Sequence, residues 1–116
     1  MIVDYAALTD LYQITMAQGY YQHGKRDTQA CFHMYFRNYP FNGGYAIACG
    51  MDQLAQLVES YRFTSEDIDY LAGLKNPTGT PLFDGEFLDY LGNLRLSVDI
   101  DAAREGTVVF PNAHKK

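Results

Sequence analysis

The sequence contains no tryptophan and only two cysteines among its 116 residues. Cys31 and Cys49 are too few for a disulfide framework or a zinc motif. Because both lie in apolar, strand-like segments, we predict that they are buried free thiols in a reducing compartment. No segment approaches the ~20 consecutive apolar residues that a membrane-spanning helix needs. The N-terminal Met1–Asp4 also lacks the basic and apolar regions of a signal peptide, so we predict a cytoplasmic protein.

Positive charge is also scarce, with 9 basic against 14 acidic residues and a net charge of −5. The only basic cluster is His114–Lys116, and a nucleic-acid-binding protein would be expected to carry a basic stripe. The hydrophobic content of 47% is ordinary for a globular protein, which argues against disorder. The length predicts one domain, residues 1–116, with neither a nucleic acid nor a membrane as its partner.

Motifs for self-contained catalysis are absent. Asn42–Gly44 is rich in glycine but lacks the Lys-Ser/Thr of a phosphate-binding loop, and no serine lies in a nucleophile elbow. The histidines show no metal-ligand spacing; they are His23, His33 and His114. We therefore predict no metal site and no catalytic residue within this chain.

Helical periodicity is clearest after Asp10, which is a good N-cap with Gln13 three residues later, as in a capping box. The following apolar residues predict a helix over 10–21 whose apolar stripe packs on the core. That stripe consists of Leu8, Leu11, Tyr12, Thr15, Met16, Gly19 and Tyr20. Similar spacing predicts further helices over 51–61, from Thr64 onward and over 84–92.

Alternating residues predict strands over 30–37, 45–49, 96–102 and 107–110. Helices and strands in this order indicate an α+β fold with an antiparallel sheet rather than a doubly wound α/β unit. The last strands have no later partner, and an unpaired sheet edge is a liability, so we expect the natural chain to continue. Asp99 and Asp101 would share one strand face, where they could bind Mg²⁺; the solvated face of the strand is the favoured interpretation.

Two residues allow alternative interpretations. Tyr12 is either a core aromatic on the apolar stripe or a ring that stacks on a heteroaromatic ligand beside the helix N-terminus. Arg37 ends a predicted strand before the Pro40–Gly44 loop. Its planar guanidinium suits a phosphate, although an ordinary surface arginine has the same appearance in a sequence.

Several segments together resemble the N-terminal region of nicotinate phosphoribosyltransferases, in order and at natural spacing. They are Leu8–Met16, Phe36–Arg37, Pro40–Ala48, Tyr61–Thr64, Phe87–Leu91 and Glu105–Pro111. The resemblance covers nearly the whole chain. It implies the N-terminal domain of a type II phosphoribosyltransferase, whose larger α/β barrel lies outside these residues.

The resemblance also implies an activity. Such enzymes join nicotinate to 5-phosphoribosyl 1-pyrophosphate, forming nicotinate mononucleotide and pyrophosphate in NAD salvage, with Mg²⁺ and ATP as cofactors. They are homodimers whose active sites are shared between subunits. By resemblance, Tyr12 stacks on the pyridine ring from the neighbouring subunit, Asp10 lies at the ligand edge or shapes the turn, and Arg37 holds phosphate or pyrophosphate.

The phosphoribosyl-binding loop and the phosphorylated histidine of such enzymes have no counterpart here, so we expect the chain alone to be inactive. We also expect it to form homo-oligomers or to be poorly soluble, because surface that packs on the barrel would be bare. One alternative is a non-catalytic dimerisation or ligand-binding module of the same fold. Another is a sister enzyme that acts on nicotinamide or quinolinate.

Overall fold

The computed structural model describes residues 6–111, which form α-helices and a small antiparallel sheet. The helices are α1 (Leu11–Gln22), α2 (Met51–Ser60), α3 (Ser65–Gly73) and α4 (Gly85–Asn93), and the strands are β1 (Ala46–Ile47) and β2 (Val108–Val109). Short 3₁₀ turns occupy Ala6–Leu8 and Pro40–Asn42. The mixed helix and antiparallel-sheet composition confirms the predicted α+β class. None of the described helices has the length and apolar character needed to cross a membrane.

The chain divides into two compact units. The first contains the described residues up to Thr28 together with Leu57–Ser97, and the second contains Gln29–Gln56 with the described residues from Val98 onward. Among residues 6–111, the buried hydrophobic side chains all lie in the first unit; they are Ala6, Ile14, Phe63, Leu71, Phe83, Phe87, Leu88 and Leu91. The first unit therefore carries the hydrophobic core.

Phe87 of α4 is the centre of this core and is completely buried. Its ring lies 5.7 Å from the Tyr21 ring, 6.0 Å from Phe83 and 6.3 Å from Tyr90, measured between centroids. These separations are typical of aromatic pairs that stabilise one another beyond the area they bury. The Arg26 guanidinium covers the outer side of the cluster, 5.8 Å from the Tyr21 ring.

Two glutamines attach α1 to the start of α4. The Gln18 amide donates to the carbonyl of Leu82 (3.0 Å) and accepts from the backbone N–H of Asp84 (2.7 Å). Gln22 donates to the Asp84 carboxylate at 2.6 Å. Because hydrogen bonds are directional, this side of α1 is held toward α4.

Helix starts follow their sequence signals closely. Thr64 and Asp67 form the capping box at the start of α3, with a Thr64 N–H to carboxylate distance of 2.8 Å and an Asp67 N–H to hydroxyl distance of 3.1 Å. The C-terminal end of α1 is a turn in which Gly24 adopts a φ of +67°. That φ favours glycine over any residue with a Cβ.

The second unit is built on the β1–β2 pair. Ala46 pairs with Val109 and Ile47 with Val108, and the ladder is continued by a 2.7 Å bond from the Gly106 N–H to the Ala48 carbonyl. The predictions of strands over 45–49 and 107–110 are confirmed, although each strand is shorter than expected.

Predicted strands over 30–37 and 96–102 do not form. Alternation predicts an extended chain with two faces, but a strand also needs a hydrogen-bonding neighbour, and neither segment has one among the described residues. The prediction that the cysteines are buried is wrong: Cys31 and Cys49 are free, as predicted, but both are exposed. Cys31 lies in the 30–37 segment, which forms no strand, and Cys49 lies just beyond the short strand β1.

Glu105 joins the β2 end of the second unit to the start of α2. Its two carboxylate oxygens accept from the backbone N–H groups of Gly50 (3.0 Å) and Met51 (3.1 Å). Gly50 adopts a φ of +96° and has no side chain with which to cap the helix. The Glu105 carboxylate therefore acts as the N-cap of α2, because it accepts hydrogen bonds from N–H groups that the helix itself leaves unpaired.

We expect Glu105→Ala to lower the free energy of unfolding by about 1 kcal/mol, as the loss of other helix caps does. Urea denaturation followed by circular dichroism measures this change. Glu59→Ala is a matched control, since Glu59 is an exposed acid in the last turn of the same helix. Equal effects of the two substitutions would contradict a capping role for Glu105.

Candidate functional site

The candidate site begins at the N-terminus of α1, where Asp10 is the N-cap with extended backbone (φ −70°, ψ 142°). The Gln13 side-chain carbonyl accepts from the Asp10 N–H at 3.2 Å and from the Thr9 hydroxyl at 2.9 Å. The Gln13 half of the predicted capping box is therefore formed, and the Gln13 N–H in turn bonds to the Asp10 backbone carbonyl at 3.0 Å. These bonds fix the first turn of the helix and hence the direction in which Tyr12 leaves it.

Tyr12 lies in that first turn and is 60% exposed. Its backbone carbonyl accepts from the Thr15 hydroxyl at 2.8 Å, which adds a further bond to the start of the helix. Exposure of this degree contradicts the interpretation of Tyr12 as a core aromatic. The ring is instead available to a ligand or to another molecule.

The prediction that the apolar stripe of α1 packs on the core is also wrong, because residues of that stripe are exposed. Met16 is 50% exposed and Tyr20 is 55% exposed, whereas Ile14 on the opposite side of α1 is buried. Ala17 and Tyr21 pack with Ile14 against the core. Because α1 has apolar residues on both sides, periodicity did not distinguish the packed face from the exposed one.

Asp10 is exposed beside the same helix end as Tyr12. The first N–H groups of a helix carry a partial positive charge, which stabilises a nearby carboxylate or another anion. An aromatic face, a carboxylate and a helix N-terminus therefore lie within one turn of chain. This combination is suited to a flat heteroaromatic ligand that carries polar substituents.

Arg37 lies in the second unit, at a bend that precedes the Pro40–Asn42 turn. It is exposed, and within residues 6–111 its guanidinium has no hydrogen-bond or ion-pair partner. A guanidinium without an internal partner keeps all its donors available for an anion. The predicted strand before it is absent, but its position ahead of the loop is as expected.

The loop after Arg37 has an unusual backbone. Phe41 has a φ of 55° and a ψ of 21°, Asn42 has a φ of 53°, and Gly44 has a φ of 81°. Asparagine and glycine tolerate this left-handed region, as predicted for the loop, but a bulky aromatic such as Phe41 rarely does. The Phe41 side chain is also fully exposed.

Other titratable residues do not assemble into a site. His23 is exposed, the His33 Nε2 lies 3.8 Å from the Cys31 Sγ, and His114 lies outside the described residues. Asp99 and Asp101 are exposed on a segment without strand structure. No group of three or more His, Cys, Asp or Glu side chains among residues 6–111 is placed to hold a metal ion.

Two further features have structural explanations and do not indicate a binding site. One is a hollow at the start of α3, and the other is the Tyr61 phenol. The hollow is lined by Thr64–Asp67, whose capping box already pairs two of its backbone N–H groups. Burial raises the pKa of the Tyr61 phenol, whose ring packs edge-on to Phe63 at 6.1 Å. Burial of a tyrosine against another aromatic stabilises the core and favours the neutral phenol.

The sequence placed Glu105 in a turn but did not indicate that it caps α2. The missing signal was the start of α2, where Gly50 precedes the helix and supplies no side-chain acceptor. A helix that begins after an uncapped glycine must find an acceptor elsewhere in the chain. Glu105 is 55 residues away, so only the folded structure identifies it.

Residues 7–115 match the family model described as the nicotinate phosphoribosyltransferase (NAPRTase) N-terminal domain. Nicotinate phosphoribosyltransferase pncB2 of Mycobacterium tuberculosis is 40% identical over 92% of this chain. The nicotinate phosphoribosyltransferases of Dictyostelium discoideum and Homo sapiens are 37% and 36% identical, each over 90% of the chain.

These relatives are much longer proteins. The matched region covers 22% of the Mycobacterium tuberculosis protein, 17% of the Dictyostelium protein and 19% of the human protein, so the chain spans about a fifth of their length. The matched residues 7–115 lie in both units. The chain therefore belongs to the nicotinate phosphoribosyltransferase family, as its N-terminal domain.

Proposed function

We propose that this chain is the N-terminal part of an enzyme that joins nicotinate to 5-phosphoribosyl 1-pyrophosphate in NAD salvage. The pyridine nitrogen attacks the anomeric carbon, a C–N bond forms, and pyrophosphate leaves with the electron pair of the broken C–O bond. The products are nicotinate mononucleotide and pyrophosphate. The observation that carries this proposal is an exposed aromatic ring, Tyr12, on a fixed helix start in a member of this family.

Tyr12 stacks on the pyridine ring in this proposal. Stacking on a flat ring restricts the orientation of nicotinate, so its nitrogen is directed at the reacting carbon before the bond forms. The adjacent helix N-terminus favours the nicotinate carboxylate electrostatically. Asp10 caps that helix end, and its placement shapes the turn that aims the ring.

Arg37 binds the phosphate or pyrophosphate of the second substrate. Its guanidinium is exposed and has no internal partner among the described residues, so binding an anion breaks no existing bond. A bidentate hydrogen bond to phosphate stabilises the negative charge that develops as pyrophosphate leaves.

Completion of the site requires groups outside these residues. Mg²⁺ and ATP serve the longer enzyme in this proposal, and the described residues do not form a site for the metal ion. The complete enzyme is a cytoplasmic homodimer in which one subunit contributes Tyr12 to the site of the other. The chain alone binds part of the substrate and does not turn it over.

A substrate panel on a longer form of the enzyme tests the proposal. Nicotinate, nicotinamide and quinolinate are each supplied with 5-phosphoribosyl 1-pyrophosphate and Mg-ATP, and the mononucleotide products are separated by chromatography. We expect nicotinate to be the preferred substrate by at least about a hundredfold in kcat/KM, because a site built for a carboxylate rejects the amide. Preference for nicotinamide or quinolinate would assign the chain to a sister activity.

A second candidate is a non-catalytic association module, which one observation favours. Large apolar side chains are exposed in both units, including Phe32 (90%) and Met34 (92%) in the second unit. Apolar exposure of this kind marks surfaces that bind another protein. The length of the open reading frame beyond Lys116 separates the two candidates, since a stop codon there supports the module and a frame several times longer supports the enzyme.

A further inference from the structure

We propose that Asn42 is a site of spontaneous deamidation, in which its side-chain amide becomes a carboxylate by way of a cyclic imide formed with Gly43. The reaction starts when the backbone nitrogen of the following residue attacks the side-chain carbonyl carbon of an asparagine. Glycine has no Cβ to hinder that approach. Asn42 is the only asparagine of the sequence that is followed by glycine.

The side chain of Asn42 is exposed, and within residues 6–111 it has no hydrogen-bond partner. Asn76 differs, because its side-chain oxygen accepts from the backbone N–H groups of Thr78 and Thr80, each at 3.0 Å. The Asn93 side chain also has a partner, since it donates to the Asp89 carbonyl at 2.9 Å. The Asn42 amide can therefore rotate toward the main chain without breaking a bond.

The turn that holds the attacking nitrogen is weakly favoured. The Gly43 N–H donates to the Pro40 carbonyl at 3.0 Å, and this bond must open before the nitrogen can react. Phe41 lies at the centre of the turn with a φ of 55° and a ψ of 21°, a conformation that a bulky aromatic rarely adopts. Its ring is fully exposed, so no packing offsets that strain. The turn therefore opens readily and releases the Gly43 N–H.

Asp84 and Gly85 show why the structure matters as well as the dipeptide. An aspartate followed by glycine can form the same imide, and this pair is also exposed. The Asp84 carboxylate, however, accepts from Gln22 at 2.6 Å, and the Asp84 N–H donates to Gln18 at 2.7 Å. Gly85 is the first residue of α4. Because these contacts fix the side chain and the backbone together, we expect no imide at Asp84.

Water is the only co-reactant of the proposed reaction. The Gly43 nitrogen loses its proton to solvent and forms a C–N bond to the side-chain carbonyl carbon of Asn42. The bond from that carbon to the amide nitrogen breaks, and ammonia leaves with its electron pair and a proton from water. Water then opens the imide at either carbonyl, which gives aspartate or isoaspartate. One water is consumed for each ammonia released, and nothing is oxidised or reduced.

Both products change the loop between Arg37 and β1. Each adds one negative charge to a chain whose net charge is already −5. Isoaspartate also lengthens the main chain by one carbon atom, because the peptide bond then runs through the side chain. The proposal depends on the chemistry of this loop and not on the binding of nicotinate, so turnover measurements do not decide it.

Peptide mass spectrometry of the 116-residue chain, incubated at neutral pH and physiological temperature, tests the proposal. We expect aspartate and isoaspartate to accumulate at position 42 severalfold faster than at Asn38, which is equally exposed but precedes a tyrosine. Isomerisation of Asp84 should not be detected. Equal rates at Asn38 and Asn42, or an unmodified Asn42 after an incubation that converts it in the urea-unfolded chain, would overturn the proposal.

Two alanine variants test the cyclic route. Gly43 has a φ of −78° and a ψ of −7°, and a Cβ there would lie 3.4 Å from the Pro40 carbonyl oxygen, so alanine fits the turn. We expect Gly43→Ala to slow conversion of Asn42 severalfold, because the methyl group hinders the attacking nitrogen. Gly85→Ala is the matched control, since a Cβ there meets no atom within 4 Å. Circular dichroism checks that both variants are folded. Equal conversion of Asn42 in the two variants would overturn the cyclic route.

Discussion

Tyr12→Ala in a longer form of the enzyme is expected to raise the KM for nicotinate by about tenfold to a hundredfold, which corresponds to the ~1–3 kcal/mol contributed by stacking on an aromatic side chain. The fold should be unaffected, because Tyr12 is 60% exposed and packs on no core residue. Initial rates at varied nicotinate concentration, with the phosphoribosyl donor saturating, measure the change.

Two further variants make that result specific to the ring. Tyr12→Phe keeps the aromatic face and removes only the hydroxyl, so its KM should stay close to that of the parent enzyme. Tyr20→Ala removes a similarly exposed ring two turns later on the same face of α1, and we expect no comparable change in KM. A KM for nicotinate that is unaltered by Tyr12→Ala, or raised equally by Tyr20→Ala, would contradict the stacking role.

Phe87→Ala is expected to lower the free energy of unfolding by about 3–5 kcal/mol, as large-to-small substitutions of buried aromatics do. Phe87 is fully buried and contacts the rings of Tyr21, Phe83 and Tyr90, so the cavity left by its removal cannot be filled by movement of one neighbour. Small domains are stable by only about 5–15 kcal/mol in total. The substitution should therefore remove a large fraction of the total free energy of unfolding.

Urea denaturation measured by far-ultraviolet circular dichroism provides the test. Phe32→Ala is the control for loss of a phenyl ring, since Phe32 is 90% exposed and its truncation should change stability by less than about 0.5 kcal/mol. Similar midpoints for Phe87→Ala and the parent chain would show that the aromatic cluster does not hold the first unit together.

Helices were predictable because their signals are local. Asp10 and Gln13 at α1, and Thr64 with Asp67 at α3, lie within one turn of the N–H groups they satisfy. The helix predicted over 10–21 is observed as Leu11–Gln22, and α3 begins at Ser65, one residue after the predicted start at Thr64. A capping residue predicts where a helix begins, whatever the rest of the fold is.

Strands, and the side of a helix that packs on the core, were less predictable because both depend on contacts with distant parts of the chain. Alternation in 30–37 indicated a strand, yet no other described segment pairs with it, and Phe32 and Met34 are left exposed. In α1, both sides are apolar, and the packed side contacts core residues and, through Gln18 and Gln22, residues more than 60 positions away. Contacts of that sequence separation leave no trace in a local pattern.

The candidate site was partly predictable. Sequence patterns identified Asp10 as an N-cap and placed the Tyr12 ring in the first turn of the helix. The structure adds that the ring is exposed, which removes the core interpretation. Arg37 is exposed as well, but its relation to a ligand depends on parts of the enzyme that this chain does not span.

Formation of nicotinate mononucleotide tests the central claim most directly. The 116-residue chain and a longer form that contains the same N-terminal sequence are each incubated with nicotinate, 5-phosphoribosyl 1-pyrophosphate and Mg-ATP. The account predicts product from the longer form and none from the chain alone, because these residues supply Tyr12, Asp10 and Arg37 but no complete site. Turnover by the isolated chain, or a longer form that makes no nicotinate mononucleotide, would contradict it.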